Sequence, residues 1–498
     1  MKSKPKLLFW LNGFLLHFCL AYYLQSQLNA DFFGIVDINS NPKKFFQTQK
    51  LVNFGKIWFY HDNIKKSYQK PDLEYLANFE KTYKIDLWKL ALSERFFYKH
   101  NRFYKFHKEE ILSILEQELK LYESVLDEVK PDYFLTYDPV FHHQKLLLDI
   151  CKVRGIKILS IGYTGIKNKI IISENGGTFD LDKNSLENFT QNEIHQSNNE
   201  KNSYDSVWHT YLEGKTHKFS NKLIALLAYL RDTDSELTTT NFMYYGRSKF
   251  KVIKDAINLE FKRRKNFRFL QKTTTLSPEL NISYVYFPMN INEEMNLLHY
   301  APYYTNQIEV IRHIAKSIPI DYMLYVKDHI GAGLRGWNEI NYYKEIMEIP
   351  NVKLIHPHFD NNILLQNSKL VITVRGTTAY KAVKYGKSSI IFGQQPIEII
   401  PSVFKVDSLH NLPNLIQRAL NCNVNTTYYE KYEELLDTRA FEFNMFEYEN
   451  IRNKTFFSGE IFSNVIIHQE DMITFLNKNK SMFSNLVNKH LKLFHDEN

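Results

Sequence analysis

The chain has 498 residues, 44% hydrophobic and 24% charged, which excludes a mostly disordered polymer and leaves room for about two or three cored domains. Only 17 Gly and 14 Pro exclude collagen-like and low-complexity classes. Lys and Arg exceed Asp and Glu by 63 to 55, a net +8 that suits an anionic substrate or membrane surface but falls short of a nucleic-acid binder's footprint.

At the N-terminus, Lys2, Lys4 and Lys6 precede the apolar segment 7–24, which has the look of a signal anchor. Asn12-Gly13 breaks that run and His17 interrupts its second half. The better reading is a buried strand at Leu7–Leu11, a turn at Asn12-Gly13, a helix from about Phe14 and a second strand at Phe32–Val36. Residues 131–165 then spell strand, helix and strand, with Gly155 ending the helix, so a parallel sheet is expected. Residues 177–217 read as a polar loop or insertion, and 218–275 as helical.

Alternation resumes at 282–288, with further strands at 321–328, 351–357, 369–374 and 388–393 and an amphipathic helix at 305–318. After about 420 it stops and helical, charged segments run on. The expected fold class is α/β, with two Rossmann-like parallel-sheet domains, a helical linker and a helical C-terminal tail. The boundaries are 1–175, 176–280 (polar loop and helical connection), 281–420 and 421–498. Cys19, Cys151 and Cys422 fit no zinc spacing or disulfide framework, so a reducing cytoplasm is the simplest home. No metal cluster and no cofactor motif is apparent.

The strongest local signal is 369–393. A strand ends at Val374, Arg375-Gly376-Thr377-Thr378 turn, and a helix follows to about Tyr385. Backbone N–H groups at that helix start would hold a phosphate, Gly376 would allow close approach, and Arg375 or Lys381 would add charge. The alternative is an ordinary threonine cap. At 325–337, Lys327, His329 and Arg335 stand at another strand end, where α/β sheets bind ligands. Glu293 and Glu294 follow a third strand, where either would orient a sugar hydroxyl or act as a base, Glu294 being the catalytic candidate, unless the pair simply opens a solvated helix.

In the first domain, Asp138, His142 and His143 follow a strand end, Asp138 being the best candidate for an acceptor base and His142 a second. Adjacent histidines should not share one helix face, so at most one is expected to be functional. The stretch 261–272 interleaves Lys262, Arg263, Arg264, Lys265, Arg268 and Lys272 with Phe261, Phe267 and Phe269. It reads as either a seat for an anionic membrane or a solvated helix face.

Segments 287–296, 301–319, 324–329, 351–362 and 372–393, in that order, resemble the bacterial capsule polysaccharide biosynthesis family, which includes retaining Kdo transferases. The likeness spans about 281–407 and is schematic over 131–175. It implies a GT-B architecture, two Rossmann-like domains facing a cleft, and a metal-independent transfer of sugar, Kdo from CMP-Kdo in the family, to a glycan or glycolipid acceptor. Carried over by position, Lys327 and His329 would meet the donor nucleotide and phosphate. Gly376, Thr377 and Thr378 would cradle that phosphate, and Glu294 would lie near the cleft.

The chain departs from the family at His329-Ile330, Lys381-Ala382 and Gly386-Lys387-Ser388, where His-Pro, Glu-Ala and Gly-Lys-Pro are usual. Lys381 cannot accept hydrogen bonds from ribose hydroxyls and prefers an anion. Two rival functions stay open at this point: a non-catalytic glycan-binding or scaffold partner, and a sugar-nucleotide epimerase.

Overall fold

The computed structural model describes residues 4–66, 69–165, 168–187, 226–227, 229–230, 240–458 and 464–495. Most of the polar segment 177–217, and most of 218–239, therefore lies outside the described residues. Two compact units emerge. Of the described residues, the first holds those within 1–176, 226–252 and 439–495, the second those within 177–187 and 253–438.

In the first unit the segment that resembled an anchor folds as β1 (Lys6–Asn12) and a helix, Leu16–Leu24. No helix among the described residues is long and apolar enough to cross a membrane. Leu7 through Leu11 are all buried, as a central parallel strand covered on both faces requires. Alternation then sorts them: Leu7, Phe9 and Leu11 enter one core, Leu8 and Trp10 the other.

The parallel strands β1, β2 (Asp31–Asp37), β3 (Phe54–Phe59), β4 (Tyr133–Tyr137) and β5 (Lys157–Tyr163) run in the order β3-β2-β1-β4-β5, the doubly wound order of a Rossmann sheet. β6 (Lys169–Ser173) extends this sheet antiparallel to β5. One face is covered by helices Lys108–Val129 and His142–Val153. The other receives Leu16–Leu24 and the C-terminal helices Met445–Phe456, Gln469–Lys478 and Lys480–His495, which bury Tyr448, Phe475, Phe483 and Leu486 there.

The C-terminal segment belongs with the first unit because that sheet face has apolar residues to cover. Truncating one such buried large side chain to alanine typically costs about 2–5 kcal/mol.

The second unit is one parallel sheet of β7 (Tyr284–Pro288), β8 (Met323–Lys327), β9 (Val352–Ile355), β10 (Leu370–Thr373), β11 (Ser389–Ile391) and β12 (Val403–Lys405). Its order is β12-β11-β10-β7-β8-β9. The chain winds outward from β7 one way, returns to β10 and winds the other way, so the topological switch lies between β7 and β10. The amphipathic helix Gln307–Ser317 lays Ile308, Ile311 and Ile314 on this core. The basic helix, Lys249–Thr273, falls mainly in the second unit rather than forming a domain of its own. The residues from Ile253 to Thr273 belong there because Leu270 packs into the core of this sheet.

Candidate functional site

The carboxyl ends of β8, β7 and β10 stand side by side, and the loops that leave them carry most of the second-domain residues singled out from sequence. Pro288 pairs with Lys327 in register, and the Met289 amide donates to the Lys327 carbonyl at 2.9 Å. On the β10 side the Arg375 amide donates to Asn290 Oδ1 at 3.4 Å, and the Asn290 side-chain amide donates back to the Arg375 carbonyl. Asn290 is itself held by the wholly buried Gln307, whose Oε1 accepts from its amide at 2.7 Å and whose Nε2 donates to its carbonyl at 2.8 Å.

The helix Thr377–Lys384 starts here, with Gly376 as its N-cap at φ 155° and no side chain capping it. Thr377 and Thr378 occupy the first two helical positions, so neither is the cap residue. Thr377 is exposed and Thr378 half-buried. The Gly376 amide donates to Gln395 Oε1 at 3.1 Å, while Gln395 Nε2 is buried without a partner among the described residues. A positive helix end, two hydroxyls and an unspent amide donor thus converge on one turn, a constellation suited to phosphate oxygens.

The charged groups are more committed than their spacing suggests. Arg375 donates through Nε to the Gln394 carbonyl at 2.8 Å and through Nη1 to Asn296, and its guanidinium lies 4.1 Å over the Tyr300 ring. Lys327 is buried and gives Nζ to Asn361 Oδ1 at 2.5 Å, an oxygen that also accepts from Tyr286. Arg335 is ion-paired with Glu293 at 2.7 Å, which offsets the positive charge expected of it. Glu294 is the N-cap of the short helix Met295–Leu298, with no side-chain hydrogen bond to that helix's first amides, and Lys381 is half-buried on the helix Thr377–Lys384.

His329 is exposed, and its Nδ1 accepts from the Gly331 amide at 3.0 Å, so in the neutral ring the proton sits on Nε2. The neighbouring Asp328 is buried, which raises its carboxyl above the usual range against hydrogen bonds from Tyr343, the His329 amide and Asn338. It fixes the loop that carries His329.

In the first unit Asp138 leaves the end of β4 half-buried, with Ser160 Oγ donating to its Oδ1 at 3.3 Å. The main chain at Gly176 presses on that carboxylate so closely that a Cβ would come within 1.7 Å of Oδ1. His142 differs from expectation. It is wholly buried, its Nδ1 2.9 Å from Glu94 Oε2 and its Nε2 3.0 Å from Glu118 Oε1. Burial lowers its pKa, but Glu118 and Glu94 outweigh this and raise it to about 10, leaving an imidazolium between two carboxylates.

Such a group holds helices together rather than meeting an acceptor. His143, expected to point away from its neighbour, is also fully buried, with Nε2 3.2 Å from Asp37 Oδ2. The first helical turn can tuck both rings in because aromatic rings and carboxylates surround it.

Sequence reading missed Asn290, Gln307 and Gln395 as the frame of the Arg375–Thr378 turn, and Glu118 and Glu94 as partners of His142. Glu118 did leave a signal: it sits in line with Ile111, Leu115 and Tyr122, a carboxylate at an apolar helical position.

No protein-family model and no curated protein matches the chain. Solved structures that align with it include KpsC of Thermosulfurimonas dismutans, a beta Kdo 2,7 transferase. That alignment has 10% identity over 70% of this chain and 87% of that one, with a TM-score of 0.29. UDP-GlcNAc 2-epimerase from Neisseria meningitidis, bound to UDP-GlcNAc, aligns at 12% identity over 87% and 99%, with a TM-score of 0.25. The N-terminal domain of Candida albicans trehalose-6-phosphate phosphatase aligns at 10% over 88% and 94%, TM-score 0.29. These scores are too low to decide between activities.

Proposed function

We propose that the protein is a glycosyltransferase of the GT-B kind, moving a sugar from a nucleotide donor to a glycan or glycolipid acceptor in surface-polysaccharide synthesis. The observation that carries this is the uncapped start of Thr377–Lys384, framed by Gly376 and Gln395 at the switch point of the second sheet. In this reading the turn takes the diphosphate or phosphate of the leaving nucleotide, and His329 donates through Nε2 to the same group. Preorganised donors that stabilise a departing phosphate are the main way such an enzyme lowers its barrier. Asp138 serves as the acceptor-side base, and Kdo from CMP-Kdo is the donor that the family resemblance favours.

The exposed face of Lys249–Thr273 supports a seat on an anionic membrane surface at the cytoplasmic side. Phe250, Ile257 and Phe261 are exposed, and their spacing puts them on one helix face with Lys254, Arg264 and Arg268.

The test is turnover: nucleotide release from candidate sugar nucleotides with and without a lipid or glycan acceptor. Release that requires acceptor supports transfer. Interconversion of sugars without acceptor means an epimerase, and no turnover despite nucleotide binding means a non-catalytic partner, which the Arg335–Glu293 pair would favour.

A further inference from the structure

Within the first unit, a polar cluster lies buried at the carboxyl ends of β2, β3 and β4. Glu118 comes from Lys108–Val129, His142 and His143 open His142–Val153, and all three are fully buried. One ligand atom from each lies within 4.8 Å of the others.

Each histidine is gripped by a carboxylate through one ring nitrogen, Glu94 on His142 Nδ1 and Asp37 on His143 Nε2. That leaves His142 Nε2, facing Glu118 at 3.0 Å, and His143 Nδ1, which is buried with no partner among the described residues. Glu118 Oε2 and the Tyr122 hydroxyl are likewise buried and unpartnered. Carboxylates that orient and polarise histidines from behind are the usual support of imidazole ligands to a metal, and orphaned ring and carboxylate atoms at such a site point to an absent group.

We propose that Glu118, His142 and His143 form a site for a divalent transition ion of the zinc class, seated where His142 Nε2 and Glu118 Oε1 now face each other. Two imidazoles and a carboxylate are a borderline-hard donor set, matched to Zn²⁺ or Co²⁺ rather than to Mg²⁺ or Ca²⁺. Tetrahedral bonds of about 2.0–2.2 Å set ligand atoms roughly 3.3–3.6 Å apart, so His142 Nε2 and Glu118 Oε1, now 3.0 Å apart, would open slightly to admit the ion.

Tyr60 stacks on the His143 ring at 4.6 Å, Trp10 lies at 5.6 Å from it and Phe97 at 4.6 Å from His142. This casing shuts out substrate, and the Tyr60 hydroxyl donates to Glu118 Oε1, so the ion is structural and joins two helices. Sequence spacing hides the site because Glu118 and the histidines lie on separate helices.

The test uses the full chain, treated with chelator and then titrated with Co²⁺, followed by visible d–d absorption and metal analysis. About one equivalent should bind with tetrahedral-type absorption, Zn²⁺ should displace it, and Zn²⁺ should raise Tm. Glu118→Gln and, as a second variant, His143→Gln should each weaken Co²⁺ binding at least about tenfold. A well-folded wild-type chain that takes up no Co²⁺ overturns the proposal, as does binding that either folded variant leaves unchanged. Because the wild-type titration alone can refute it, failure of a variant to fold does not protect the idea.

Discussion

Asn290 and Arg375 join the ends of two non-consecutive strands through a reciprocal pair of hydrogen bonds, amide to side chain in one direction and side chain to carbonyl in the other. The pair bridges the switch point between β7 and β10, where a Rossmann sheet opens a crevice for its ligand. The turn proposed to hold phosphate depends on this frame, because Gly376 and Thr377 follow Arg375 directly.

Removing the bridge should loosen the turn more than the fold. Asn290→Ala deletes bonds that are each worth about 0.5–1.5 kcal/mol, and the sheet core beneath is untouched. The expected result is a modest fall in Tm together with a clear rise in nucleotide Kd, read by calorimetry on the same samples. Equal Kd for variant and wild type would separate the frame from the site.

The donors themselves are exposed, so they can be removed without unfolding the protein. Thr377→Val and His329→Ala each delete one contact to the proposed phosphate, and about 1 kcal/mol per hydrogen bond predicts roughly fivefold weaker nucleotide binding. Thermal melts should overlay that of the wild type. If neither variant changes Kd, the assignment of the site is wrong even though the sheet is as described.

Two buried histidines set an acid limit on the first unit. Burial lowers His17 from 6.5 to about 3 and His490 from 6.5 to about 4, so both are neutral in the folded chain. The unfolded chain binds these protons first as pH drops below about 6.5. The contribution of these two histidines to stability is therefore complete above that pH and is lost progressively down towards pH 3–4. Tm should fall between pH 7 and pH 5, and His490→Leu should flatten that fall; parallel curves would contradict the account.

The face of Lys249–Thr273 makes a separable prediction about membranes. The full chain should co-sediment with vesicles rich in phosphatidylserine and not with neutral ones, less so at high salt. Phe250→Ser with Phe261→Ser should reduce binding several-fold. Retention on neutral vesicles, or indifference to the double variant, would remove the helix from the interface.

The architecture was largely legible because parallel strands buried on both faces read as short apolar runs. Leu7–Leu11 and the 131–165 unit announced the first sheet, and the segments from 282 to 393 announced the second. The C-terminal helices read as a tail because nothing local shows that Tyr448, Phe475 and Phe483 cover a sheet begun more than four hundred residues earlier. The turn at Gly376-Thr377-Thr378 was visible as a strand-to-helix turn, but its supports are uncharged amides from three distant segments, a pattern with no linear signature. His142 misled for the same reason: its meaning lies in Glu94 and Glu118, which only the fold brings to it.

The most direct test of the central claim is calorimetric titration of the wild-type chain and Gly376→Ala with CMP, UDP, GDP and dTDP. A side chain at φ 155° is strained, while an added Cβ would meet only ordinary contacts, Asn290 Nδ2 at 3.9 Å and Thr373 Oγ1 at 4.0 Å, so the variant should stay folded with a distorted turn. The account predicts selective binding of one nucleotide by the wild type, CMP if the donor is Kdo-like, weakened at least about tenfold in the variant. A well-folded wild-type protein that binds none of the four, or a variant that binds as tightly as the wild type, would contradict it.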